Sequence, residues 1–247
     1  ILLKWMVKLM ESLSVKKIKN NWTNFELIWF TLSVGLILSL NLLWDSTLIS
    51  TLSGVAGIVS VLLCAKGKIS YLYFGIFQCT TYGYIAYYEY QLYGEAMLNL
   101  LVFLPFNILT IFLWKRNLKT QSEVVNGEEV KTRKLSKKQY AIIIPTILIS
   151  IVLYAILLET IGARQVGLDS IAVILSVFAQ ILLTLRYVEN WLIWIAVNAI
   201  TVLVWVFTLI ETGGNDYGFL AMQAAFLFSS IYAYWNWLKI TEKETKQ

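Results

Sequence analysis

The chain has 247 residues, of which 58% are hydrophobic, 15% aromatic and only 14% charged. Its mean hydropathy is +0.68, and its apolar share exceeds the roughly 45–50% of soluble domains. This composition excludes an ordinary globular enzyme and predicts an all-α polytopic membrane protein. Histidine is absent, which excludes imidazole catalysis and a His-ligated metal. We expect no cofactor, no metal and no nucleic-acid partner.

Eight apolar segments follow a basic N-terminal segment, residues 1–24, which we expect to be an amphipathic surface helix or a basic tail. Each has about the 20 residues that a helix needs to cross a bilayer. The segments are 25–43, 47–65, 69–88, 96–114, 141–158, 168–185, 190–210 and 217–238. A polar loop at 115–140 and a polar tail at 239–247 carry most of the remaining charge.

The basic residues predict how the chain crosses the membrane. With the N-terminus in the cytoplasm and eight alternating spans, all but one of the 20 Lys and Arg residues lie inside. Arg164 is the exception. Because cytoplasmic loops carry an excess of Lys and Arg, both termini are predicted to be cytoplasmic. The formal net charge of +5 is therefore a topology signal.

The two halves of the chain repeat. At an offset of 120, the second helix of segment 47–114 falls on the second helix of segment 168–238. The matched residues are Tyr71 with Trp191, Phe74 with Trp194 and Gln78 with Asn198; beyond a longer outer loop, Asn99 falls on Gln223 at 124. One helix, 141–158, joins the triplets, so they are parallel. Span 25–43 precedes them, which predicts a 1+3+1+3 arrangement of eight transmembrane helices.

A polar stripe marks the seventh span. Trp191, Trp194, Asn198, Thr201 and Trp205 are three, four, three and four residues apart, which places them on one helical face. A buried amide needs partners, so this face meets a neighbouring helix or a water-filled cavity. The stripe by itself leaves both interpretations open.

The paired amides favour a cavity between the repeats, where repeat-built transporters bind substrate. No Asp, Glu, Lys or Arg lies in the interior of a span, since Glu26 and Asp169 sit at span ends, whereas ion-coupled pumps use such interior groups. There is no phosphate-binding loop motif and no buried Arg to receive a phosphate. We therefore expect a small, unphosphorylated, polar substrate with an aromatic part, which moves down its gradient.

Three motifs carry a family resemblance: AKGKISYLYFG at 65–75, QLYGEAMLNL at 91–100 and ENWLIWIAVN at 189–198. Over about 44–240 the chain resembles the bacterial nicotinamide riboside transporters, PnuC. The resemblance implies a 3+1+3 core like that of the SWEET sugar transporters, in the bacterial inner membrane. It also implies a homotrimer that takes up nicotinamide riboside by facilitated diffusion, with trapping by a cytoplasmic kinase.

The resemblance places substrate binding on one set of residues. These are Trp194 and Asn198 first, then Trp191, Gln78, Asn99, Gln223 and Trp205. The pyridinium ring is expected to stack on Trp, and the ribose and carboxamide to bond the amides. Phe74 and Ile231 indicate that the site is not fully symmetric. Two alternatives remain: a facilitator for thiamine or riboflavin, and a membrane scaffold whose amides only hold helices together.

Overall fold

The computed structural model of the protein describes residues 22–43, 47–89, 93–121, 130–160, 166–212 and 217–245. Apart from the turns and the segment 130–136 these ranges are helical, and they contain no β-strand; Arg133 and Tyr187 form an isolated bridge. The prediction of an all-α protein is therefore confirmed. The expected surface helix or tail at 1–24 lies almost entirely outside the described residues.

Eight helices occur in the described ranges. They are α1 (Asn24–Leu43), α2 (Leu48–Ala65), α3 (Tyr71–Tyr88), α4 (Tyr93–Met97, a π-helical turn Leu98–Phe103, then Leu104–Gln121), α5 (Lys137–Thr160), α6 (Val166–Thr184), α7 (Asn190–Thr212) and α8 (Tyr217–Thr245). Each overlaps one of the eight apolar segments in the sequence.

Four of the described helices are long and apolar enough to cross a membrane: Leu48–Ala65, Tyr93–Leu118, Lys137–Thr160 and Val166–Thr184. Shorter apolar stretches occupy Asn24–Ser39 and Asn190–Leu203. Helix α5 has no buried residue, and apolar side chains such as Ile142 and Leu153 are more than 60% exposed. Such an apolar outer surface suits contact with lipid.

Two helices begin at capping boxes, in which a hydroxyl and a side chain three residues later bond each other's backbone N–H. At α1, the Glu26 N–H donates to Thr23 Oγ1 (3.2 Å) and the Thr23 N–H donates to Glu26 Oε2 (2.7 Å). At α5, the Gln139 N–H donates to Ser136 Oγ (3.3 Å) and the Ser136 N–H donates to Gln139 Oε1 (2.8 Å). These sequences fix where both helices start.

The α2–α3 and α6–α7 turns have the same backbone bonds. The Gly67 N–H donates to the Cys64 carbonyl and the Arg186 N–H to the Leu183 carbonyl, both at 2.9 Å. Both Gly67 (φ 68°) and Arg186 (φ 66°) adopt the left-handed conformation. The turns are therefore related by an offset of 119, one residue fewer than the 120 inferred from side-chain types.

This one-residue difference corrects the predicted pairing of α3 with α7. At an offset of 119, Trp194 occupies the position equivalent to Gly75, and Asn198 the position equivalent to Cys79. Phe74, which was expected to match Trp194, is 40% exposed and faces away from the core. One residue turns a helix by about 100°, so the shift changes which side chains face inward.

The π-helical turn of α4 changes the second offset as well. Helices α4 and α8 begin at Tyr93 and Tyr217, 124 residues apart. Within the π turn, the Leu104 N–H bonds the Asn99 carbonyl five residues back. A π-bulge accommodates an extra residue, so the offset beyond it becomes 123. The inward-facing partners are then Phe103 with Phe226, Asn107 with Ser230 and Trp114 with Trp237. Ile231, which the offset of 124 would make equivalent to Asn107, is 43% exposed.

Two tryptophans link the two halves at the turn end of the bundle, which is the end that carries the α2–α3 and α6–α7 turns. Both Trp114 and Trp237 are fully buried. Trp114 Nε1 donates to the Thr184 carbonyl (3.1 Å), and Trp237 Nε1 donates to the Cys64 carbonyl (2.9 Å). Each tryptophan thus fastens the last helix of one half to the first helix of the other.

Helix α1 is attached to α2 and α8. Its Glu26 carboxylate forms a buried ion pair with Lys66 (2.8 Å) and accepts a bond from the Tyr232 hydroxyl (2.7 Å). One turn further along, Trp29 Nε1 donates to Ser229 Oγ (3.0 Å). The helix that precedes the two predicted triplets therefore packs against a helix of each.

Candidate functional site

A cavity of about 310 Å³ lies at the centre of the bundle. Helices α2, α3, α4, α6, α7 and α8 each contribute at least two side chains to it, whereas α1 and α5 contribute none of its described lining residues. Its volume is at the lower end of the roughly 300–1,000 Å³ typical of small-molecule sites. The six helices that belong to the predicted triplets thus enclose one site.

Five of the seven predicted site residues line this cavity: Gln78, Asn99, Trp191, Trp194 and Asn198. The structure therefore brings together residues that are separated by up to 120 positions in the sequence. Gln223 is half-buried on α8 but is not among the described lining residues. The side chain of Trp205 lies outside the described part of the structure, so its predicted place in the stripe stays a prediction.

Gln180 on α6 lines the cavity and was not found by sequence reasoning. Its Nε2 donates to Asn107 Oδ1 (3.2 Å), and Asn107 Nδ2 donates to Cys79 Sγ (3.5 Å). Gln180 is 5% exposed. An amide in the middle of an apolar span is costly without a partner, and this was the signal that identified Asn198 and that applies equally to Gln180.

Asn198 is positioned by α8. Its Nδ2 donates to Ser230 Oγ (2.7 Å), and that hydroxyl donates to the Phe226 carbonyl (2.9 Å). The Asn198 Oδ1 atom has no partner within the described part of the chain. One half of the amide is therefore fixed by the protein, and the other half remains an acceptor.

Two buried donors at the cavity have no hydrogen-bond partner among the described residues: the Tyr71 hydroxyl and Trp191 Nε1. Both residues line the cavity and are less than 5% exposed. A buried polar group left unpaired costs about 1–3 kcal/mol. A polar ligand or water in the cavity would recover part of this cost.

An aromatic wall completes the site. The rings of Trp194 and Phe103 lie 6.1 Å apart with an interplanar angle of 60°, and both residues line the cavity. Trp191 packs edge-on against Trp237 at 5.7 Å, which holds its ring at the turn end of the cavity. Indole faces attract flat rings and cations.

The cavity is uncharged, because none of its described lining residues is Asp, Glu, Lys or Arg. No group of three or more acidic or Cys side chains in the described ranges is arranged to hold a metal. Cys64 and Cys79 are buried, free thiols. The arrangement offers amide, hydroxyl and indole contacts to a neutral or cationic ligand, and nothing that would neutralise an anion.

Comparison with known proteins identifies relatives of this chain. The sequence model of the family described as nicotinamide mononucleotide transporter matches residues 47–239. The nicotinamide riboside transporter PnuC of Neisseria mucosa is 31% identical over 94% of this chain and 88% of its own length. The PnuC of Haemophilus influenzae is 32% identical over 91% of this chain and 94% of its own length.

A solved structure has the same fold. A crystal structure of the vitamin B3 transporter PnuC superposes with a TM-score of 0.76 at 31% identity, and the match covers 90% of this chain and 94% of the other. These likenesses extend over all six helices that line the central cavity. The chain therefore belongs to the nicotinamide mononucleotide transporter family and is an integral membrane transporter, not an enzyme.

Proposed function

We propose that this protein moves nicotinamide riboside across the bacterial inner membrane through the central cavity. The observation that carries the proposal is the lining itself, which combines five amide side chains with two tryptophans and no charge among the described residues. The substrate's pyridinium ring suits an indole face, and its hydroxyls and carboxamide suit Asn and Gln. Relatives that share about a third of the sequence are named as transporters of this riboside.

The riboside is favoured over the mononucleotide named in the family description. A phosphate group carries about two negative charges at neutral pH, and its binding sites normally supply Arg, Lys or clustered backbone N–H groups. Neither Arg nor Lys is among the described residues that line the cavity. Burying a phosphate there without a cation would carry a large desolvation cost.

The proposed individual roles are based on the geometry of the cavity. Trp194 and Trp191 provide the stacking faces, and Asn198, Gln78 and Asn99 bond the polar groups of the substrate. Gln180 is added to this set because it occupies the same wall. Gln223 and Trp205 remain proposed substrate contacts, on α8 before Phe226 and on α7 beyond Asn198, where they would meet the riboside as it enters or leaves.

The proposed architecture is 1+3+1+3, with two parallel triplets related by a pseudo-twofold axis along the membrane normal. The reciprocal bonds of Trp114 and Trp237 support this relation. The triplets correspond to 47–114 and 168–238, and both termini are placed in the cytoplasm by the positive-inside rule. The homotrimer is a proposal that rests on the family resemblance.

The proposed driving force is removal of the riboside by phosphorylation inside the cell. The described lining of the cavity holds no ionisable carboxylate or amine, so it has no group to couple transport to a proton or ion gradient. Movement is then facilitated diffusion, and a cytoplasmic kinase keeps the internal concentration of the free riboside low.

Calorimetry with detergent-purified protein tests the proposal. Nicotinamide riboside is expected to bind, and nicotinamide mononucleotide, thiamine and riboflavin are measured separately for comparison. Asn198→Leu removes the amide and should weaken riboside binding about tenfold or more, since losing a hydrogen bond to a charged or polar ligand costs about 1–3 kcal/mol. Asn24→Leu, the same change at an exposed position outside the cavity, should leave binding unchanged.

The other outcomes separate the alternatives. Binding of thiamine or riboflavin instead of the riboside would keep the architecture and replace the substrate. A folded wild-type protein that binds none of the four compounds, with Asn198→Leu lowering only thermal stability, would favour the scaffold. Normal riboside binding by Asn198→Leu would remove Asn198 from the site.

A further inference from the structure

A second cavity, of about 250 Å³, lies where the segment 130–136 meets the α6–α7 turn. Three arginines from separate parts of the chain line it: Arg116 from α4, Arg133 from the segment and Arg186 from the turn. None of its described lining residues is acidic. This basic cavity shares no lining residue with the central one, so the riboside site does not account for it.

Arg133 is fixed with its terminal groups available. Its Nε donates to the Leu185 carbonyl (2.8 Å), and its guanidinium lies 4.4 Å from the centre of the Tyr187 ring. The two terminal nitrogens have no partner within the described part of the chain. A guanidinium held in this way presents the paired N–H groups that match two oxygens of a phosphate.

Arg186 occupies a position that glycine would fill at lower conformational cost. Its φ of 66° lies in the left-handed region, and the matching position of the α2–α3 turn holds Gly67 at 68°. Glycine adopts this conformation freely, whereas an L side chain rarely does. Arg186 Nη1 donates to the Lys131 carbonyl (2.9 Å), which holds its side chain at the cavity wall. The turn alone would favour glycine at this position, so we infer that the arginine side chain has a role in the cavity.

The basic cavity lies at the edge of the apolar surface. Leu113 and Leu185 also line it and are 37% and 38% exposed. The neighbouring α4 residue Phe112 is 67% exposed, as expected for a side chain against lipid. A phosphate could thus arrive on a lipid headgroup from the membrane side or on a soluble molecule from the aqueous side.

We propose that the basic cavity binds a phosphate group, carried by an anionic lipid headgroup or by a soluble phosphate ester. The two sources share the chemistry that the three arginines recognise. The exposed Lys131 and Lys134 nearby add positive potential, which raises the local concentration of anions.

Two probes distinguish the sources in delipidated, detergent-purified protein at low salt. Native mass spectrometry measures dioctanoyl phosphatidylglycerol, with the zwitterionic dioctanoyl phosphatidylcholine as its control. Calorimetry measures ribose 5-phosphate. Binding of phosphatidylglycerol alone assigns the site to lipid, binding of ribose 5-phosphate alone assigns it to soluble esters, and binding of both supports the shared chemistry.

Variants connect that binding to the cavity. Arg116→Gln and Arg133→Gln should each weaken it about tenfold, as expected when a charge-assisted hydrogen bond is lost. Arg186→Gly removes the side chain but keeps the left-handed turn, and it should act in the same direction. Lys134→Gln removes an exposed charge outside the cavity lining and should change the affinity less than about twofold.

The proposal fails if neither probe binds, if phosphatidylcholine binds as well as phosphatidylglycerol, or if the arginine variants bind as the wild type does. Thermal unfolding and riboside binding are measured on every variant. A variant that loses phosphate binding but keeps the wild-type unfolding temperature and riboside affinity is folded. Because the two cavities are separate, failure here leaves the riboside proposal untouched.

Discussion

At the scale of single residues, the central cavity depends on close contacts that leave no room for larger side chains. A Cβ atom at Gly75 would lie 3.1 Å from Ser60 Oγ and 3.3 Å from Asn107 Nδ2. Both side chains are committed elsewhere, since Ser60 Oγ donates to the Tyr71 carbonyl and Asn107 Nδ2 to Cys79 Sγ. The glycine therefore lets α3 approach two polar groups of the cavity wall.

We predict that Gly75→Ala weakens riboside binding and destabilises the fold by about 1–3 kcal/mol, because the new methyl group must displace fixed neighbours. Gly35→Ala on α1 is the control, as nothing lies within 4 Å of a Cβ there; this change should be neutral or stabilising. Calorimetry and thermal unfolding measure both effects. Equal behaviour of the two variants would show that the wall yields easily.

The hydrogen bond between Gln180 and Asn107 leads to a second prediction at this scale. Gln180→Leu keeps the approximate volume but leaves Asn107 Oδ1 without its donor, at a cost of about 1–3 kcal/mol. Both stability and riboside affinity should fall. The control is Gln139→Leu, at a position on α5 outside the central cavity. It should leave riboside affinity unchanged even if it lowers stability.

At the scale of elements, helix α1 depends on one buried ion pair. The side chains of Lys66 and Glu26 are 9% and 3% exposed, and Lys66 Nζ also lies 5.1 Å from the centre of the Trp22 ring. The pair joins the start of α1 to the α2–α3 turn, and the Tyr232 hydroxyl extends it to α8. A charge buried in this way is costly when its partner is removed.

Lys66→Met should therefore lower the free energy of unfolding by about 3–5 kcal/mol, because Glu26 is left as an unpaired buried charge. Adding Glu26→Gln should recover part of that loss, so that the double variant is more stable than the two single effects predict. Thermal unfolding of the wild type, the two single variants and the double variant completes a double-mutant cycle. Additive losses would mean that the two groups act independently.

At the scale of the whole molecule, the Lys and Arg residues within the described ranges gather at the turn end of the bundle. The segment 130–136 bonds both turns, through Val130 to Gly67 and Arg133 to Arg186, so the charges of the loop and the turns share one face. If this face is cytoplasmic, as the positive-inside rule predicts, the far end of α5 at Thr160 lies outside.

Cysteine labelling tests this orientation. The native thiols, Cys64 and Cys79, are buried and should react slowly. In intact cells, a membrane-impermeant maleimide should label Thr160→Cys but not Lys134→Cys, and permeabilised cells should label both. Both positions are exposed in the fold. The reverse pattern would invert the proposed topology.

Much of the site could be predicted from the sequence, and the two exceptions have different origins. Trp191, Trp194 and Asn198 share a face because their spacing is local to one helix. Phe74 was misplaced because the residues that it matches depend on how α3 is rotated relative to α7, and the one-residue difference between the two turns decided that rotation. Gln180 was overlooked, although an amide inside an apolar span marks it as it marks Asn198.

The sequence by itself determined the class of protein, the eight apolar segments and the amide and indole chemistry, because composition and helical periodicity are local properties. Only the tertiary structure decided which of those side chains meet in one cavity, that Gln223 stays out of its described lining, and that three distant arginines converge on a second cavity. Those outcomes depend on helix packing across more than a hundred residues, where a single inserted residue rotates everything that follows by about 100°.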